Sequence, residues 1–313
     1  MKKKLLSLLL SFSMLSSFTS SYAMPGRSIS AFTACKYTGR DNNDMKVLTV
    51  DDELEEPVKC TEENLKYRKN KNLFVNFHST FYNTKELSWF FKPNNRGLTP
   101  EEPPEVLKLL KENSGYYVGN TDEKELYLTF DEGYENGFTG KILDVLKKHN
   151  VKAAFFVVEP YLERNRLLIK RMVDEGHLVC NHSAHHPSMA KVTDFEKFKK
   201  ELAEVEEDYK EITNKDMPKF FRPPMGRFSE LSLHYTKELG YKTVFWSLAH
   251  YDWDVKKQPN PEEAKKLLLK RTHNGSIILL HAVSKTNTEI LDDLITSWKT
   301  GGYTLKSLDQ LPQ

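Results

Sequence analysis

The sequence predicts an α/β fold in which a parallel sheet closes, or nearly closes, into a barrel. Strand-like and helix-like stretches alternate about seven times in the part of the chain after Thr121. The residues that carry chemistry recur just past the strand-like runs, and in a parallel α/β barrel all strand C-termini open onto one face. The chain has 313 residues, 39% hydrophobic and 12% aromatic, which is enough to build the core such a barrel needs.

Each element follows from a local pattern. Residues 126–130 alternate as a strand, and Ile142, Leu143, Val145 and Leu146 then mark one side of a helix. Residues 153–158 form an apolar strand, 167–173 a helix, and 177–181 a strand. Phe195, Phe198, Leu202, Val205, Tyr209 and Ile212 recur at helical spacing. Strands follow at 220–221, 243–248, 276–280 and 303–305, separated by helices at 229–239, 261–272 and 288–298.

The N-terminal part reads differently. Lys2, Lys3 and Lys4 precede an apolar run from Leu5 to Phe18, and Ser21-Tyr22-Ala23 supplies the small residues before a cut, so 1–23 reads as a secretory signal peptide. The run is shorter than the roughly 20 apolar residues that span a bilayer, so no permanent membrane span is expected and the protein should act outside the cytoplasm. Residues 24–70 are polar and aperiodic, a linker or mobile arm. Residues 71–120 bring aromatics, four prolines and a short amphipathic helix at 104–112, an extension packed on the main domain of 121–313. Formal charge is +2, and without Lys2, Lys3 and Lys4 the basic residues fall one below the 44 acidic ones, so no nucleic-acid surface is indicated. Of three cysteines, Cys35 and Cys60 are free to pair and leave Cys180 alone.

The polar residues at the strand ends define a site. Asp131 and Glu132 follow the first strand, His182, His185 and His186 the third, Arg222 the fourth, Asp252 the fifth and His281 the sixth. His182 and His186, four apart, suit two ligands of one divalent ion, and spacing alone also allows His182 with His185. Ser183 stands where an HExxH peptidase would have Glu. Asp131 and Glu132 offer one carboxylate for the ion and one for base work. Two prolines after Arg222 fix the backbone, so that its guanidinium is held where it can orient Asp131. His281 ends an apolar strand and needs a partner, for which Asp252 is available.

Five ordered motifs resemble those of the polysaccharide deacetylases, the NodB-homology or carbohydrate esterase 4 family. They are Thr129-Phe130-Asp131-Glu132-Gly133, Asn181-His182-Ser183-Ala184-His185-His186-Pro187, Arg222-Pro223-Pro224-Met225-Gly226, Asp252-Trp253 and Leu279-Leu280-His281. Longer stretches, including 127–137, 245–253 and 279–284, are similar to the delta-lactam-biosynthetic de-N-acetylase subgroup. The resemblance implies a distorted (β/α) barrel that removes N-acetyl groups from amino sugars. It further implies Asp131 as general base, His281 as general acid, Arg222 and Asp252 as their holders, and Glu132, His182 and His186 as ligands of a divalent metal ion, Zn2+. Trp253 and Leu279 would line the acetyl pocket, and the backbone at Met225 and Gly226 would meet the oxyanion. Glu132 departs from the family's second Asp. The implied substrate is N-acetylmuramic acid in spore-cortex peptidoglycan on the way to muramic delta-lactam, with a muramoyl amidase acting earlier. GlcNAc in peptidoglycan or chitin is the alternative substrate, and a non-catalytic glycan-binding protein the alternative of another class.

Overall fold

The computed structural model describes residues 82–312 and, before them, the backbone of Ser16–Met24, Arg27–Tyr37 and Met45–Thr49. The chain divides into two compact units, Met1–Phe74 and Val75–Gln313. In the first, β1 (Ser16–Met24), β2 (Arg27–Tyr37) and β3 (Met45–Thr49) pair antiparallel in that order. The signal peptide expected over 1–23 and the arm over 24–70 fall largely outside the described residues, as does Cys60.

The second unit holds the remaining strands: β4 (Leu87–Ser88), β5 (Gly115–Tyr116), β6 (Glu125–Glu132), β7 (Ala154–Val157), β8 (Leu178–Asn181), β9 (Phe220–Phe221), β10 (Arg227–Phe228), β11 (Lys242–Val244), β12 (Leu248–Ala249), β13 (Ser276–His281) and β14 (Thr304–Lys306). Its helices are α1 (Pro104–Glu112), α2 (Thr139–His149), α3 (Glu159–Arg164), α4 (Arg166–Asp174), α5 (Phe195–Thr213), α6 (Glu230–Glu238), α7 (Pro261–Arg271) and α8 (Lys285–Thr300). Nine strands form one parallel sheet in the order β12-β13-β6-β7-β8-β9-β11-β5, with β14 paired to the first half of β6. Strands β4 and β10 form a separate antiparallel ribbon.

The expected barrel is present, and its distortion has a definite place. The run expected as one strand at 243–248 is split: β11 pairs with β9 and β5 at one end of the sheet, while β12 pairs with β13 at the other. Residues 245–247 carry the chain across, and the Ser247 N–H donates to Ile277 O at 3.0 Å. The sheet therefore curls into an open half-barrel whose two ends are linked by one interrupted strand. A second difference is α3, a short helix in the stretch that the sequence pattern left unassigned between the strand at 153–158 and the helix at 167–173.

Period-two alternation divides the strand residues between two layers. On β6, Leu126, Leu128 and Phe130 join Phe155, Val157 and Val179 in the core under the helices. Tyr127 joins Ala154, Phe156, Cys180, Val244 and Ile277 inside the curled sheet. The helices seal the outer layer with stripes such as Ile142, Leu143 and Leu146 on α2 and Ile290, Leu291, Leu294 and Trp298 on α8. Asp194, Asn260 and Ser284 cap α5, α7 and α8 by accepting backbone N–H bonds, so these helices start where side-chain oxygens replace missing carbonyls. The inward parity of β6 and β13 thus runs out at Asp131 and His281, which lie opposite each other in the ladder.

Candidate active site

Asp131 sits at the mouth of the barrel on the inward face of β6. Arg222, fully buried, donates from Nη1 to Asp131 Oδ1 at 2.7 Å. Its Nε donates to Val244 O at 3.1 Å and its Nη2 to Phe245 O at 3.4 Å, and the guanidinium lies 4.2 Å from the centre of the Phe156 ring. Burial would raise the Asp131 pKa, but the charge of Arg222 and the nearby His182 and His281 hold it below the usual carboxylate range.

His182 Nδ1 donates to the Arg222 carbonyl at 2.7 Å, which leaves Nε2 as the lone-pair nitrogen, 3.6 Å from Asp131 Oδ2. The His186 ring packs against His182 with centroids 5.0 Å apart. Residues 182–188 form a compact loop folded back by two left-handed residues, Ser183 at φ 64° and His186 at φ 57°, and the His186 N–H donates to Ser183 Oγ at 3.1 Å. This decides between the two spacings: His185 points outward, its side chain 61% exposed and paired with Glu201. Burial lowers the pKa of His182 to about 4 and also lowers that of His186, so both rings are neutral near pH 7, as metal ligation requires.

Glu132 is elsewhere. It has the parity of Leu126, Leu128 and Phe130, so its side chain turns to the helix layer, where Thr139 Oγ1 donates to Oε1 at 3.4 Å and Oε2 has no partner. Tyr161 donates to Thr139 and to Glu135 in the same pocket. Burial and the neighbouring Glu135 hold the Glu132 carboxyl well above the usual range. The expected ligand set of Glu132, His182 and His186 is therefore not brought together: the two imidazoles pack on each other, and Asp131 Oδ2 lies beside His182 Nε2. The chemistry of two neutral imidazole nitrogens with a carboxylate next to one of them suits a divalent cation. Among the described residues the one group of three acidic or ligating side chains whose donor atoms lie within 4.8 Å of one another is elsewhere, Glu159, Glu163 and Asp208 on α3 and α5.

His281 closes the site from β13. Its Nδ1 and Asp252 Oδ1 lie 2.7 Å apart, and its backbone N–H donates to Asp252 Oδ2 at 2.8 Å. Burial would lower its pKa, yet the hydrogen bond and charge of Asp252, helped by Asp131, hold it above 6.5. Sequence reasoning missed two supports: Asn287 Nδ2 donates to Asp252 Oδ2 at 2.6 Å and to His281 O, and its Oδ1 meets His250 Nε2 at 2.8 Å. The signal for Asn287 was a polar residue on the apolar stripe of α8.

The expected substrate contacts are spread around this mouth. Leu279 is buried on the inward face of β13, two residues before His281. Trp253 is 56% exposed and leans on Tyr251, ring centroids 4.8 Å apart. Met225 stands at the apex of the turn after Arg222 with φ 58°, and Gly226 is buried behind it.

Comparison with known proteins agrees with this geometry. The polysaccharide deacetylase family model matches residues 118–244. Peptidoglycan-N-acetylmuramic acid deacetylase PdaA of Bacillus subtilis is 46% identical over 225 residues, 72% of this chain and 85% of that protein. The chain belongs to the polysaccharide deacetylase family. The solved structure of that Bacillus subtilis protein, a family 4 carbohydrate esterase, superposes with TM-score 0.71, covering 73% of this chain and 97% of that one. A family 4 carbohydrate esterase from Bacillus anthracis gives TM-score 0.62 at 43% identity, covering 74% and 97%. A peptidoglycan-N-acetylglucosamine deacetylase of Bacillus cereus is 34% identical over 63% of this chain and 71% of its own length.

The parity of β6 generates a direct expectation. Glu132→Gln should leave the affinity for an added divalent cation within about threefold of wild type, whereas His186→Ala should lower it about 100-fold or more, as read by isothermal titration calorimetry.

Proposed function

We propose that the protein is a hydrolase that removes the acetyl group from N-acetylmuramic acid in peptidoglycan glycan strands, using Zn2+ as its divalent cation. The observation that carries this is the pairing of partners across the β6–β13 ladder: Asp131 held by Arg222, and His281 held by Asp252. The 46% identical relative named as a peptidoglycan-N-acetylmuramic acid deacetylase supports the choice of sugar. A non-catalytic glycan-binding protein would have no use for two buried carboxylates each locked to a cationic side chain.

His182 and His186 would hold the cation, with Asp131 Oδ2 beside them. When bound, it supplies Lewis acidity toward the acetamide carbonyl and the attacking water. Asp131 Oδ1 stays with Arg222, which keeps the carboxylate ionised and aims Oδ2 for the proton of that water. His281 uses Nδ1 on Asp252 and presents protonated Nε2 to the amine, a poor leaving group that must receive a proton as the C–N bond breaks. Leu279 and Trp253 would enclose the acetyl methyl, and the backbone at Met225 and Gly226 would face the oxyanion.

Release of the amine next to a lactyl carboxylate sets up ring closure to the muramic delta-lactam of spore cortex. That carboxylate must first be freed of peptide, so a muramoyl amidase acts earlier. The substrate lies outside the cytoplasm, which suits export through the leader over 1–23, and no helix among the described residues is long and apolar enough to cross a membrane. The 34% identical N-acetylglucosamine deacetylase supports a second reading, GlcNAc in peptidoglycan or chitin-type strands.

Purified protein incubated with peptide-stripped peptidoglycan should remove one acetyl mass from muramic acid residues, as seen by mass spectrometry. Asp131→Asn should slow this about 100-fold or more. Acetyl loss from glucosamine alone would replace the first substrate with the second, and no loss from any strand would refute the activity.

The raised pKa of His281 fixes the alkaline side of the pH profile. Its stabilising interaction with Asp252 is complete below 6.5 and fades as pH rises through the folded-state value, and the protonated acid disappears over the same range. The alkaline limb of kcat should therefore lie above pH 6.5 and move down in Asp252→Asn. An unmoved limb would remove His281 as the acid.

A further inference from the structure

Met225 adopts a left-handed backbone at φ 58° and ψ 12° without being glycine, and such a conformation persists only where its surroundings impose it. The turn that contains it is gripped from outside the barrel. The Trp89 N–H donates to Gly226 O at 2.7 Å, and Trp89 Nε1 donates to Trp246 O at 2.9 Å. The Trp89 ring stacks on Phe245, centroids 4.6 Å apart at 21°. A Cβ on Gly226 would come within 2.9 Å of the Trp246 ring and 3.1 Å of Trp89 Cβ, so the glycine is pinched between two tryptophans. The next residues are laddered to the same segment, Arg227 opposite Ser88 and Phe228 opposite Leu87.

Glu86 extends the grip to the histidine loop. Ser188 Oγ donates to Glu86 Oε2, and Arg227 Nη1 lies 3.5 Å from Glu86 Oε1. Ser188 is two residues beyond His186, and Arg227 ends the turn that begins at Arg222. One short segment thus ties together the loop that holds the two imidazoles and the turn that holds the Asp131 partner and Met225.

We propose that Glu86 and Trp89 are positioning residues of the deacetylase, a clip that sets the Met225 turn and the His186 loop relative to each other. The proposal rests on the catalytic reading given above. Neither side chain touches the reacting atoms; the effect passes through the Trp246 carbonyl, the packing of Trp89 on Phe245 and Gly226, and Ser188.

The test compares wild type with Trp89→Phe, Trp89→Ala and Glu86→Ala for kcat and KM on peptide-stripped peptidoglycan strands, Zn2+ affinity by calorimetry, and melting temperature. Trp89→Phe keeps the ring on Phe245 and loses only Nε1–H, so it also serves where the alanine variant fails to fold. It should lower kcat about fivefold with KM within about twofold, and Trp89→Ala should lower kcat about 100-fold. Glu86→Ala should weaken Zn2+ binding about tenfold. Unchanged kcat in Trp89→Phe together with unchanged Zn2+ affinity in Glu86→Ala overturns the proposal, whatever the melting temperatures, because the segment then only braces the fold. A wild type that releases no acetate refutes the deacetylase reading separately, and the Zn2+ affinity of Glu86→Ala still decides for or against the clip.

Discussion

The buried guanidinium of Arg222 is the constraint on which the mouth of the barrel depends. An uncompensated charge inside a protein costs several kcal/mol, so the groups around it are arranged to meet it. Asp131 answers with a carboxylate, Phe156 with a ring face, and Val244 and Phe245 with their carbonyls. Carbonyls turned inward toward Arg222 cannot continue a ladder, and the chain leaves β11 at that point to rejoin the sheet as β12. The break that distorts the barrel is thus coupled to the accommodation of one arginine. The same residue's carbonyl fixes the His182 tautomer, so its side chain holds the Asp131 carboxylate and its main chain leaves His182 Nε2 with the free lone pair.

Asp131 and His281 are made different by their surroundings. Both lie at the ends of adjacent parallel strands, and both are locked to an oppositely charged partner. Around Asp131 the partner is a permanent cation, which favours the ionised carboxylate; around His281 it is a carboxylate, which favours the protonated ring. Asn287 completes the second pair by donating to Asp252 and to the His281 carbonyl, so His281 is held by side chain and backbone together.

Much of this was legible in the sequence because it follows from periodicity. The alternation of strands and helices gave the barrel, and chemistry-bearing residues after each strand gave Asp131, His182, Arg222, Asp252 and His281 a common face. The same period of two, carried one residue further, also turns Glu132 away from that face, and motif likeness concealed it. What periodicity does not carry was lost: the choice of His186 over His185 rests on two left-handed residues, and the interruption at 245–247 rests on a contact between residues far apart in the chain. Asn287 and the segment from Glu86 to Trp89 act through hydrogen bonds across more than thirty positions, beyond the reach of local patterns.

The central claim, that one buried ion pair organises this site, is tested most directly by a double-mutant cycle on stability. Arg222→Met and Asp131→Asn should each destabilise the protein by about 3–5 kcal/mol in urea unfolding, since each leaves a buried charged partner behind. The double variant should lose at least about 2 kcal/mol less than the sum of the two, because it removes both charges together. Losses that add within about 0.5 kcal/mol would mean that the two residues do not depend on each other, and would contradict the account.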